Sequence, residues 1–107
     1  MDPERFHEQI TRSPAALIYF SAPDCGVCHA LKPKVQRLLR EEFPRLQWLE
    51  VDIAAEPALA ARYQVFTVPT VLVFFDGRES VRLSRGFAMG SLRDQVARPY
   101  GLRFQDE

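Results

Sequence analysis

The residues best equipped for chemistry are two cysteines and a histidine in "CGVCH", Cys25 to His29. Their spacing fits two unrelated chemistries. As C-x-x-C, the pair is a dithiol that opens and closes as a disulfide. As C-x-x-C-H, it is an attachment site for c-type haem, with both cysteines in thioether bonds and the histidine on iron. Zinc is a third use, but it requires four ligands. Cys25, Cys28, His29 and His7 are the only Cys and His in the chain, and His7 falls in a separate predicted helix. A disulfide between residues three apart closes a very small loop and restricts the unfolded chain little. In a reducing compartment such a pair is therefore reactive rather than structural.

The elements that must position this pair can be read from periodicity. In "DPERFHEQIT", Phe6 and Ile10 share a helical face, Asp2 can cap and Pro3 suits the first turn, which predicts a helix over about 3–11. "AALIYFSAP" is a compact apolar run ended by Ser and Pro, the pattern of a strand buried on both faces. From Gly26 to about Phe43 the period becomes helical. Val27, Ala30, Leu31, Val35, Leu38, Leu39 and Phe43 fall on one face, and Pro33 predicts a kink. "LQWLEVDI" is a second strand, with Leu46 and Trp48 on one face and Leu49 and Val51 on the other. "EPALAARYQV" is a short helix and "TVLVFF" a central strand. "DG" at Asp76–Gly77 is a hairpin turn into "SVRLSRG", and "MGSLRDQVARPY" is a last amphipathic helix. The tail from about 100 to 107 is polar enough to fray. The order predicts an α/β fold, a mixed central sheet of about four strands with helices on both faces. The 107 residues suit one domain, with a core over about 13–97.

This pattern decides between haem and dithiol. A small c-type cytochrome is essentially helical, and its second axial ligand here would have to be Met89. The runs "ALIYF", "TVLVFF" and "SVRLS" are instead rich in branched and aromatic residues that favour strands. The dithiol reading also explains the position of the pair. Cys25 ends a strand-to-helix loop, where free N–H groups and the positive end of the helix dipole favour an anion. A thiolate there is stabilised and becomes nucleophilic at neutral pH. Cys28, one turn further in, can reach that sulfur while shielded from solvent, as a resolving thiol should be.

The chain resembles the thioredoxin family. The resemblance is carried by "YFSAPDCGVC", Pro33 in the following helix, "VDI" at 51–53, "VFTVPTVLVFFDG" at 65–77 and Gly86. It implies a thioredoxin-like fold and a thiol-disulfide oxidoreductase acting on protein disulfides. Cys25 would attack and Cys28 resolve, with Gly26 and Val27 between them, no metal or organic cofactor, and a separate thiol reductant or reductase. By the same resemblance Pro69 matches the family's cis-proline, and the Val68 backbone would pair with an extended substrate segment. Several positions depart from the family pattern. Asp24 stands where an aromatic residue is usual, Val27 for proline, His29 for lysine, Ser21 for tryptophan, and Tyr19 for a buried acid credited with moving the resolving cysteine's proton. A helix near Phe6 replaces the usual first strand.

Bland readings stand beside these. Asp24 is either a helix cap or a charge opposing the Cys25 thiolate. His29 is a partly exposed helix residue or a titratable charge by the site. Tyr19 fills space under the sheet. Phe66 and Phe87 belong either to the core or to an apolar lip around Cys25. From another class, the chain could be a binding or adaptor protein whose dithiol is vestigial. Lys plus Arg equals Asp plus Glu at 14 each, so charge gives no case for nucleic acid or an anionic membrane. No apolar run approaches the ~18–20 residues that span a bilayer. "MDPERFHEQITR" lacks the basic-then-apolar pattern of an export leader. The expectation is a cytoplasmic monomer.

Overall fold

The computed structural model describes residues 1–105. In chain order the elements are α1 (Pro3–Arg12), β1 (Ala15–Ser21), α2 (Gly26–Glu42), β2 (Gln47–Asp52), α3 (Pro57–Arg62), β3 (Thr70–Phe75), β4 (Arg78–Ser84) and α4 (Met89–Arg103). The strands form one sheet in the order β2-β1-β3-β4. β1 runs parallel to β2 and antiparallel to β3, and β3 pairs antiparallel with β4. This is the thioredoxin fold predicted from the sequence, with no strand ahead of β1.

Two cores follow from strand alternation. On β1, Ala15, Leu17 and Tyr19 face one side, where Val35, Leu38 and Leu39 of α2 and Leu92 and Val96 of α4 cover them. Ala16, Ile18 and Phe20 face the other side, covered by Phe6 and Ile10 of α1 and Leu59 of α3. The predicted faces of β2 hold: Leu46 and Trp48 join the first cluster, Leu49 and Val51 the second. The β3–β4 hairpin turns through Asp76 at φ 52° and Gly77 at φ 81°. Two consecutive positive φ values match the twist of the strands, which is why "DG" marks the turn. A β-carbon on Gly77 would also come within 3.2 Å of the Thr11 methyl.

Two expectations need correction. Val27 and Ala30 share the helical face of α2 but are exposed. The buried position of that first turn is taken by Cys28, whose carbonyl accepts the hydroxyl of Tyr19 on β1. The helix expected from Gly26 to about Phe43 holds, running through Pro33 to Glu42. Second, residues 100–103 do not fray. α4 extends to Arg103 because Tyr100 and Phe104, four apart, pack together at 4.8 Å between ring centroids. Tyr100 meets Phe43 at 5.0 Å, and its hydroxyl accepts the Arg45 amide at 3.0 Å. The last two residues of the predicted tail, 106 and 107, lie outside the described residues.

Candidate active site

The site forms where β1 hands the chain to α2. β1 stops at Ser21, and Ala22–Asp24 make a turn closed by the Cys25 amide on the Ala22 carbonyl at 3.2 Å. Cys25 is in extended conformation and is itself the N-cap of α2. Its Sγ accepts the amide of Cys28 at 3.1 Å. The sulfur thus takes the place usually filled by a hydroxyl or carboxylate. Asp24 is exposed and does not cap, which overturns the capping reading of that residue.

Cys25 and Cys28 are joined by a disulfide, with an S–S distance of 2.13 Å and Cα atoms 5.2 Å apart. The two sulfurs differ in access: Cys25 is half-buried, and Cys28 is 1% exposed. Facing them, the Val68–Pro69 peptide is cis and leads directly into β3. Cys25, Gly26, Val27, Val68 and Pro69 line one groove of about 320 Å³ together with Arg85 and Gly86. Five of the eight site residues expected from sequence therefore meet in a single wall. The Val68 amide and carbonyl have no backbone partner among the described residues.

The other three are placed differently. Asp24 stands outside the groove lining. Cys28 lies beneath it. Tyr19 is fully buried under the first turn of α2, and its hydroxyl donates to the Cys28 carbonyl at 2.6 Å. Its ring stacks on Trp48 at 5.3 Å. Space-filling is therefore only part of its role. Burial, and secondarily the charge of Glu50, pushes the Tyr19 hydroxyl up to about 12. Glu50 pairs with Tyr19 in the β1–β2 register and holds Lys32 at 2.8 Å.

His29 is exposed, with Nε2 at 3.0 Å from the Pro23 carbonyl, and braces the turn before Cys25. Phe66 is not core: it is 79% exposed, on the loop that leads to Val68. Phe87 is half-buried against the core cluster beneath α4. Sequence reasoning missed Arg85. Gly86 drew attention through the family pattern, but nothing in the one-dimensional pattern signals that the residue just after β4 lines the same groove as Cys25.

The zinc alternative does not assemble. His7 lies on α1, hydrogen-bonded through Nδ1 to the Tyr63 hydroxyl at 3.0 Å. Among the described residues no three His, Cys, Asp or Glu side chains converge.

A dithiol at the head of a helix on a mixed four-stranded sheet, opposite a cis-proline, defines a class of redox protein. Comparison with known proteins agrees. The family model described as Thioredoxin matches residues 1–98. Thioredoxin-like protein YdfQ of Bacillus subtilis is 36% identical over 87 residues, covering 81% of this chain and 77% of that one. A thioredoxin of Chlamydia trachomatis is 40% identical over 79 residues, covering 74% of this chain and 76% of its own. The X-ray structure of Fasciola hepatica thioredoxin superposes with a TM-score of 0.74 at 30% identity, covering 89% of this chain and 88% of that one. The chain belongs to the thioredoxin family. It is a thiol-disulfide oxidoreductase, and Cys25 and Cys28 are its redox pair.

Proposed function

We propose that Cys25 is the attacking thiol and Cys28 the resolving thiol in the reduction of protein disulfides. The observation that carries this is the asymmetry of the pair. The accessible sulfur of Cys25 receives an N–H from the helix end, whereas Cys28 is buried one turn in. A hydrogen bond and a helix N-terminus both favour the anion, so the proton leaves Cys25 first.

The Cys25 thiolate attacks one sulfur of the substrate disulfide. The substrate S–S bond breaks, its other sulfur leaves as a thiolate and takes up a proton, and a mixed disulfide remains. Cys28 then loses its proton and attacks Cys25 Sγ, which releases the second substrate thiol and leaves Cys25–Cys28 oxidised. Two electrons and two protons pass to the substrate in each turnover. A separate dithiol or reductase must return the pair to its reduced form, and relative reduction potentials set the direction. An extended substrate segment lies in the groove and pairs with the free Val68 backbone groups, held beside Pro69, Gly26 and Val27.

The chain acts as one domain and as a monomer. Its large exposed apolar residues, Met1, Val27, Phe66 and Leu102, are spread over four separate elements or loops. No helix among the described residues is long and apolar enough to cross a membrane. With both cysteines committed to the redox pair and none left for a structural bridge, a reducing compartment such as the cytoplasm suits it. There the protein would carry electrons in redox homeostasis.

Trapping tests the roles. Cys28→Ser should accumulate mixed disulfides through Cys25 when offered oxidised protein, and Cys25→Ser should accumulate none. The reverse pattern would exchange the two assignments.

A further inference from the structure

The groove beside Cys25 is apolar on most of its wall, with Val27, Val68 and Pro69 contributing side chains. The exception is Arg85. It follows Ser84, the last residue of β4, and its amide donates to the Pro69 carbonyl at 2.7 Å, which fixes its backbone to the cis-proline. Arg85 is among the residues that line the groove, is exposed, and forms no ion pair among the described residues. By contrast, Arg82 on β4 is held by Glu79 at 2.8 Å. Arg85 also has φ 62°, in the left-handed region where glycine or asparagine is favoured. A long charged residue at a position that suits glycine, bordering a reactive groove and with no ion-pair partner among the described residues, points to function rather than folding.

We propose that Arg85 is a specificity-determining residue that selects disulfide substrates carrying a carboxylate beside the reacting cysteine. This rests on the reading that Cys25 attacks peptide disulfides in this groove. The guanidinium is permanently charged and can hold a carboxylate with two parallel hydrogen bonds. The substrate chemistry that fits is an extended segment with apolar residues around its cysteine and Asp or Glu within reach of Arg85. The rest of the site biases the other way. The Cys25 thiolate is an anion, and Asp24 next to it is exposed, so without Arg85 an acidic segment would be repelled and a basic one attracted. A preference for acid is therefore diagnostic of Arg85.

Three cysteine peptides differing only in the two residues flanking the cysteine, both Glu, both Gln or both Lys, are oxidised to symmetrical disulfide dimers. Each dimer is mixed with reduced protein in a single turnover, and the second-order rate of appearance of peptide thiol is read after acid quench. The Glu-to-Lys rate ratio is compared within each variant, so a general loss of rate cancels. The ratio should exceed one in the parent at low ionic strength, shrink in high salt, and remain above one in Arg85→Lys. In Arg85→Glu it should fall by about tenfold or more. An equal ratio in the parent and in Arg85→Glu would overturn the role of Arg85 while leaving disulfide reduction intact. A parent that fails to reduce even the Gln dimer would overturn both this proposal and the reading beneath it.

Discussion

At the scale of single residues, Tyr19 joins the sheet to the redox helix. Its hydroxyl holds the Cys28 carbonyl and its ring lies on Trp48, so Tyr19→Phe removes the first contact and keeps the second. One such hydrogen bond stabilises by about 1 kcal/mol, and the variant should lose that amount at neutral pH. The hydroxyl ionises at about 12 in the folded chain against ~10 when unfolded. Its contribution is therefore full below pH ~10 and declines as pH climbs toward 12. Burial raises Tyr63 as well, adding a decline of the same sign. In urea titrations the gap between parent and Tyr19→Phe should narrow above pH ~10; a constant gap would contradict the assignment. A hydroxyl this hard to ionise cannot take the proton of Cys28 at neutral pH, so resolution of the mixed disulfide should speed up as pH rises. Cys25 supplies the cap of α2, so Asp24→Asn removes a charge and no cap. Asp24→Asn should lower the Cys25 thiol pKa with no loss of capping, read from thiolate ultraviolet absorbance in a pH titration of the reduced protein. A rise would show that the carboxylate supports the thiolate by a route other than Coulomb repulsion.

At the scale of elements, most of the chain announced itself. β1 and β3 are apolar throughout because both faces are covered, and the "DG" turn fixed the hairpin between β3 and β4. Two features escaped for physical reasons. The end of α4 reads as polar because Arg103, Gln105, Asp106 and Glu107 dominate the sequence there, while the residues that anchor it, Tyr100 and Phe104, bind to Phe43 and Arg45 from a distant stretch of chain. In the first turn of α2, Val27 keeps the helical period of the buried face but is 60% exposed at the groove, while Cys28 takes the buried place. Both depend on tertiary neighbours that a local pattern does not contain. The α4 anchor has a measurable consequence. Phe104 is 7% exposed in the core cluster, and Phe104→Ala should cost about 3 kcal/mol by chemical denaturation. A cost below about 0.5 kcal/mol, the range of ordinary surface changes, would mean that the helix end frays after all.

At the scale of the whole molecule, the sheet brings together segments far apart in sequence: the end of β1, the loop before β3 and the loop after β4. Cys25, Cys28 and Pro69 were legible because their residue types and spacing form a family pattern. Arg85 was not, because its relevance arises only when β4 is paired beside β3 and its amide meets the Pro69 carbonyl. The same assembly separates a working dithiol from a vestigial one. A binding protein would need the surface of the groove but not a sulfur poised at a helix end. The most direct test is the dithiothreitol-driven reduction of insulin, followed by turbidity, for the parent, Cys25→Ser and Cys28→Ser. The parent should accelerate precipitation well above dithiothreitol alone, and both variants should fall to the uncatalysed rate. A parent no faster than dithiothreitol alone, or a Cys25→Ser variant as fast as the parent, would contradict disulfide exchange through this pair.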